Sequence, residues 1–270
     1  MLYFILFLLG LGIGSFLNVV TLRYNEDGWV AGRHLGGRSR CPHCGKTLAW
    51  YELIPLLSFI IQGAKCRSCG APLSWQYPLV ELLTALIFVF VPYQLAILGP
   101  SLIWILVFVS LLTIAVIDFR KYMVPDEVTA FLFVLGIVWT AFFAGGSFIG
   151  EHAEFFGLQG NVWQNHIFAA FLGAALIALI FFGTKGKAIG FGDVKLFGAL
   201  GLLFGWPDIV LVFFLSFIVG ALFSVPLLIR RLKGMKDFVP FAPFIAVASL
   251  IIFFAGDVIM NWYFSLLGLS

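Results

Sequence analysis

Two aspartates, Asp118 and Asp193, stand where apolar runs meet polar sequence. Asp118 closes Ala115-Val116-Ile117, and Asp193 lies in Gly190-Phe191-Gly192-Asp193-Val194-Lys195, just ahead of another apolar run. A carboxylate beside a hydrocarbon layer is costly and by default marks a functional position. Two carboxyls held close together cannot both ionise comfortably, so one keeps its proton. The ionised partner can then take a proton from water as it attacks a peptide carbonyl, while the protonated one polarises the carbonyl oxygen. That is the chemistry of an aspartic protease, here at a lipid boundary, and it needs no metal. Gly190 and Gly192 suit a substrate-binding segment, because a backbone without side chains lets an unwound peptide approach. Each aspartate also has a plainer reading. Asp118 could end a helix and pair with Arg120 or Lys121, and Asp193 could be an N-cap.

A second constellation is Cys41-Pro42-His43-Cys44-Gly45 and Cys66-Arg67-Ser68-Cys69-Gly70, a C-x2-C-x21-C-x2-C pattern that takes all four cysteines. In a reducing compartment this spacing reads as a tetrathiolate zinc site rather than as disulfides. His43 lies between two better ligands and reads as a spacer. With four sulfurs filling the metal, no position is left to activate water, so the zinc is structural. The segment holds too few apolar residues for a core of its own, and metal binding can supply folding free energy of order 10 kcal/mol.

The elements that must position these groups are membrane helices. The chain is 62% hydrophobic and 11% charged, and its mean hydropathy is +1.08. Eight apolar segments, 2–22, 77–95, 101–118, 127–145, 164–183, 193–206, 208–229 and 241–260, approach the roughly 20 residues that cross a bilayer. The first lacks a basic n-region and a small-x-small site, so it reads as a retained span. With the N-terminus outside, the inner segments are 23–76, 119–126, 184–195 and 230–240, and they contain all 16 lysines and arginines. The outer loops carry Glu151, Glu154, Asp208 and Asp257. This asymmetry is the positive-inside pattern, and it puts both aspartates at the cytoplasmic face. The net charge of +3 follows from topology and gives no argument for nucleic-acid binding. The expected fold is an all-α polytopic membrane protein of about eight transmembrane helices, with a small zinc-binding cytoplasmic loop domain between the first two. Its parts are a first helix at 1–22, the zinc loop at 23–76, a second helix with its outer connection at 77–100, and a membrane peptidase domain at 101–270.

Other residues read more plainly. Asp126 and Glu127 fit a helix start after Pro125. His152 and His166 flank the outer loop 144–165 without metal spacing, and Trp206 and Trp262 suit an outer interface. Glu81, just inside the second span, either holds an amine or ribose of a cofactor or pairs with Arg38 or Arg40. Asn18 and Arg23 are comparable candidates.

Taken in order, these motifs resemble the bacterial type IV prepilin peptidases (leader peptidase/N-methyltransferases), G-x-G-D aspartic membrane proteases. The likeness covers Gly14-Ser15-Phe16-Leu17-Asn18, Arg38 to Cys44, Ile54-Pro55-Leu56-Leu57-Ser58, Cys66 to Cys69, and Tyr77-Pro78-Leu79-Val80-Glu81. It continues through Ile117-Asp118, Val124-Pro125-Asp126, Gly190 to Lys195, and Pro240-Phe241-Ala242-Pro243-Phe244. The resemblance implies a bifunctional enzyme of the bacterial inner membrane with its active site facing the cytoplasm. Asp118 and Asp193 would cleave the leader from type IV prepilins or pseudopilins whose apolar helix lies in membrane lipid. The new N-terminal residue would then be methylated from S-adenosylmethionine, with the cofactor near the zinc loop and Glu81. Two alternatives remain at this level: a peptidase without methyltransferase activity, and a non-enzymatic transporter or scaffold using the aspartates as cation ligands. The absence of an inverted repeat and the placement of both acids at one face weigh against transport.

Overall fold

The computed structural model describes residues 1–24, 37–142, 161–229 and 239–266. The cations Arg33, Arg230, Arg231, Lys233 and Lys236, the acids Glu151 and Glu154, and His152 lie outside the described residues. Nine α-helices are described: α1 Leu2–Arg23, α2 Leu57–Ile61, α3 Gln76–Leu95, α4 Leu98–Lys121, α5 Asp126–Phe142, α6 Val162–Gly183, α7 Phe191–Phe204, α8 Asp208–Ile229 and α9 Ala242–Leu266. No strand occurs among the described residues. Each of the eight apolar segments carries one of these helices, because a chain in hydrocarbon must satisfy its own backbone polar groups. Six, namely α1, α3, α4, α6, α8 and α9, are long and apolar enough to cross a membrane. The other two, α5 and α7, have 17 and 14 residues.

The chain folds as two compact units, Met1–Thr113 and Ile114–Ser270. In the first, α1 packs along α3. In the second, α7 is the enclosed element, packed by α5 and α6, with every residue from Leu196 to Leu203 buried. Close approach makes this possible. A β-carbon on Gly201 of α7 would lie 2.4 Å from the Ala169 carbonyl oxygen and the Ala170 Cα of α6, the small-residue contact by which membrane helices associate.

Enclosure also solves a problem created by length. Fourteen residues rise about 21 Å, less than the roughly 30 Å of hydrocarbon, so the last carbonyls of α7 need partners inside apolar surroundings. The Leu202 carbonyl accepts from Thr140 Oγ1 at 3.2 Å and faces His166 Nδ1 at 2.8 Å. Asn165 Nδ2 donates to the Trp206 carbonyl at 3.1 Å, and its Oδ1 accepts from the Trp206 N–H at 2.7 Å. His166 is thus a buried cap for the helix that carries Asp193, a role that spacing along the chain did not reveal. His166→Leu is expected to lower the stability of the detergent-solubilised protein by about 1 kcal/mol, the scale of one hydrogen bond between membrane helices. His166→Gln, which keeps a donor, is expected to recover most of it. Thermal unfolding of the pair checks this.

Candidate active site and metal centre

Asp118 lies one turn before the end of α4 and is only 6% exposed. The C-terminal end of a helix is a poor setting for a carboxylate, since the macrodipole is negative there. The chain meets this with a second helix end. Asp118 Oδ2 accepts from the Ala242 N–H at 2.9 Å, and the Phe241 N–H lies close to the carboxylate. Both amides belong to Pro240-Phe241-Ala242-Pro243, where the chain enters α9. The proline segment, read from sequence as a motif of unstated purpose, is the cradle of this carboxylate.

Asp193 is equally buried, at 6% exposure. It is not the N-cap: Gly190 holds that position, and Asp193 sits three residues later in the first turn of α7. Its Oδ2 reaches back to accept from the Gly190 N–H at 3.2 Å. Its Oδ1 is buried and has no hydrogen-bond partner among the described residues. The first turn of a helix favours a negative group, so α7 offers Asp193 the same kind of support that α9 gives Asp118. The two carboxyls belong to one compact unit, and Asp118 is near enough to act electrostatically on Asp193.

The two glycines differ in role. A β-carbon on Gly192 would lie 2.8 Å from Val124 Cβ, whereas one on Gly190 would meet nothing closer than 3.6 Å. Gly192 therefore admits the Val124-Pro125-Asp126 segment, and Gly190 leaves an exposed backbone beside Asp193. Gly192→Ala is expected to cost 1–3 kcal/mol by overpacking, and Gly192→Ala with Val124→Ala is expected to regain most of that loss. Equal melting temperatures for the single and double variants would refute the contact. Next to this turn, Lys195 Nζ pairs with Asp126 at 2.8 Å, joining the starts of α5 and α7. Asp126 thus has a partner in α7 besides its place at the start of α5. Both partners are partly solvated, so the pair contributes about 0–1 kcal/mol.

The four cysteines converge. Their Sγ atoms all lie within 4.8 Å of one another, and Cys41 Sγ is 3.9 Å from Cys69 Sγ. A tetrahedral zinc with Zn–S bonds of about 2.3 Å needs sulfurs about 3.8 Å apart, so the donor set fits that ion. The two halves repeat one turn. The Cys41 N–H donates to the Lys46 carbonyl and Gly45 N–H to Cys41; the Cys66 N–H donates to Ala71 and Gly70 N–H to Cys66. Gly45 and Gly70 take φ of +70° and +69°, which other residues adopt at a cost. Such turns aim backbone N–H groups at sulfur: those of Cys69 and Ser68 pull the Cys66 thiol down to about 6. The Ala71 N–H favours the Cys69 thiolate too, but desolvation and the Cys66, Cys44 and Cys41 sulfurs outweigh it and push that thiol up to about 11. A soft dication relieves that conflict.

Glu81 is buried in α3, and its Oε2 accepts from the Leu56 N–H at 2.9 Å. The Ser15 hydroxyl of α1 lies close to the same carboxylate. No ion pair to Arg38 or Arg40 forms among the described residues. Asn18, also buried, donates to the Tyr77 carbonyl at 3.0 Å, and Arg23 reaches the Gly37 and Arg38 carbonyls at 3.5 and 3.4 Å. Glu81 and Arg23 therefore tie the cysteine loop to the helices that bracket it, and Asn18 joins those two helices to each other.

Residues 8–95 match the bacterial peptidase A24 N-terminal domain, and residues 105–225 match the type IV leader peptidase family. The chain is 34% identical to the prepilin leader peptidase/N-methyltransferase of Aeromonas hydrophila, over 97% of this chain and 94% of the relative. It is 34% identical to the protein of that name from Bacillus subtilis, over 96% of each. For the one from Pseudomonas aeruginosa the identity is 33%, over 97% and 93%. No solved structure matches. With both domains matched and the likeness running nearly end to end, the chain belongs to the type IV leader peptidase family.

Proposed function

We propose that this protein removes the leader from prepilins or pseudopilins at the cytoplasmic face of the bacterial inner membrane and then N-methylates the new terminus. The observation that carries the peptidase half is the pair of buried carboxyls, each in contact with amides at a helix start. In this reading Asp118 and Asp193 share one proton. The ionised carboxyl takes a proton from the attacking water, and the protonated one donates to the carbonyl oxygen of the scissile peptide. The proton then passes to the leaving amine. Exposed backbone at Gly190 is where the unwound substrate is received, while its apolar helix stays in lipid. The positive-inside pattern supports the cytoplasmic orientation.

For methyl transfer, Cys41, Cys44, Cys66 and Cys69 would hold a structural zinc that orders the loop, and S-adenosylmethionine supplies the methyl group. The chain's own contribution is to hold the loop against α1 and α3 through Arg23 and Glu81, with Asn18 joining the two helices. The relatives' names, which join both activities, support the second half. The test is mass spectrometry of a prepilin incubated with the purified protein and S-adenosylmethionine. Loss of the leader and a gain of one methyl are expected together. An intact precursor, across several prepilins, would remove the reading.

A further inference from the structure

The cysteine loop exposes large apolar side chains, among them one whole side of α2, that its own fold does not use. Trp50 and Trp75 are 77% and 75% exposed, and Ile60 and Ile61 are 72% and 70% exposed; Leu57 is exposed beside them. In α2 the buried side is Phe59, which packs edge-on against Trp75 at 5.0 Å. Positions 57, 60 and 61 share the opposite side at helical spacing. Trp50 stacks edge-on with Tyr51, over which the Arg67 guanidinium lies at 5.2 Å. Five cations, Arg38, Arg40, Lys46, Lys65 and Arg67, occupy residues 37–75 against one acid, Glu52. That acid is buried and caps the Ala49 N–H at 2.8 Å.

The depth of this face is set by a hydrogen bond. The Leu56 N–H, at the residue before α2, donates to Glu81. Glu81 lies five residues inside α3, about 7 Å along its axis from Gln76. Trp75 is the N-cap of that same membrane helix. A five-residue helix tied at this level cannot stand off in the cytosol. Leu56 and Phe59 hold it at the first turns of a span, the level at which a membrane helix meets headgroups and upper acyl chains.

We propose that α2, with Trp50 and Trp75, is an interfacial anchor that beds the cysteine domain into the inner leaflet, and that the occupant of its apolar face is phospholipid. Aliphatic side chains enter the acyl boundary, indoles sit at the headgroups, and the surrounding cations meet anionic lipid. The anchor depends on membrane insertion of α1 and α3, and it is independent of the proteolytic reading.

The test places a photocrosslinker on the face of the full chain in nanodiscs of equimolar phosphatidylglycerol and phosphatidylcholine. Ile60→p-benzoylphenylalanine is expected to gain the mass of one phospholipid on irradiation. The yield should approach that of Leu102→p-benzoylphenylalanine, an exposed position of the α4 span. Phosphatidylglycerol adducts should exceed phosphatidylcholine adducts at least twofold. Leu57→p-benzoylphenylalanine repeats the measurement should the Ile60 variant fail to fold. A crosslink within the chain, to a second copy or to an added prepilin would overturn the proposal, as would no lipid adduct while the Leu102 control reacts. Equal yields of the two lipids would overturn the role given to the cations.

Discussion

Asp193→Asn is expected to abolish leader removal while methylation of an already processed pilin continues. Asparagine keeps the shape of the side chain and an oxygen able to accept from the Gly190 N–H, so the first turn of α7 is preserved. What it loses is the ability to carry or release the proton. Removing a positioned acid or base costs about 10²–10⁴-fold, and more where two groups act as one. Asp118→Asn should behave alike, since the Ala242 N–H keeps an acceptor. The double variant should be scarcely worse than either single one, because groups that work as a unit are not additive. Time courses of leader release, read by mass spectrometry beside a melting curve for each variant, decide the matter. Cleavage within tenfold of wild type in a folded Asp193→Asn protein would take that residue out of the chemistry. Loss of both activities together would mean a structural effect instead.

Cys41→Ser should have the second large effect, and on the other activity. Cys41 and Cys66 are buried while Cys44 and Cys69 are exposed, so the metal would sit at the edge of its loop, held by two like turns. Removing one thiolate leaves three donors, and metal binding at such sites carries folding free energy of order 10 kcal/mol. The cysteine segment has little else to replace it. Zinc content should fall from one per chain to near zero, proteolysis within residues 37–75 should quicken more than tenfold, and methyl transfer should cease. Leader cleavage should persist, because the aspartates and their amide partners all belong to the second compact unit. Strong chelation of the wild-type protein should reproduce the pattern, and re-added zinc should reverse it. Full methyl transfer without metal would show that the thiolates serve some other end.

The parts of this protein that depend on near neighbours are legible along the chain. Apolar segments became helices because hydrocarbon leaves a chain no outside partner for its amides. The cysteine spacing, with glycine after each pair, dictated two turns whose sulfurs meet. The family resemblance rested on the same local motifs.

Where each buried polar group finds its partner depends instead on packing between distant segments. Residue type states that Asp118, Glu81 and His166 need partners in apolar surroundings, and many groups along the chain could serve. Asp118 takes an amide 124 positions away at Ala242. Glu81 holds the Leu56 N–H instead of an arginine. His166, next to the outer loop in sequence, closes the end of α7. Gly192 makes room for Val124. Each choice follows from which helix backbones approach closely enough to bring a donor within about 3 Å of an acceptor. Periodicity and spacing carry no record of that approach, because it is a property of packed surfaces and not of any one segment.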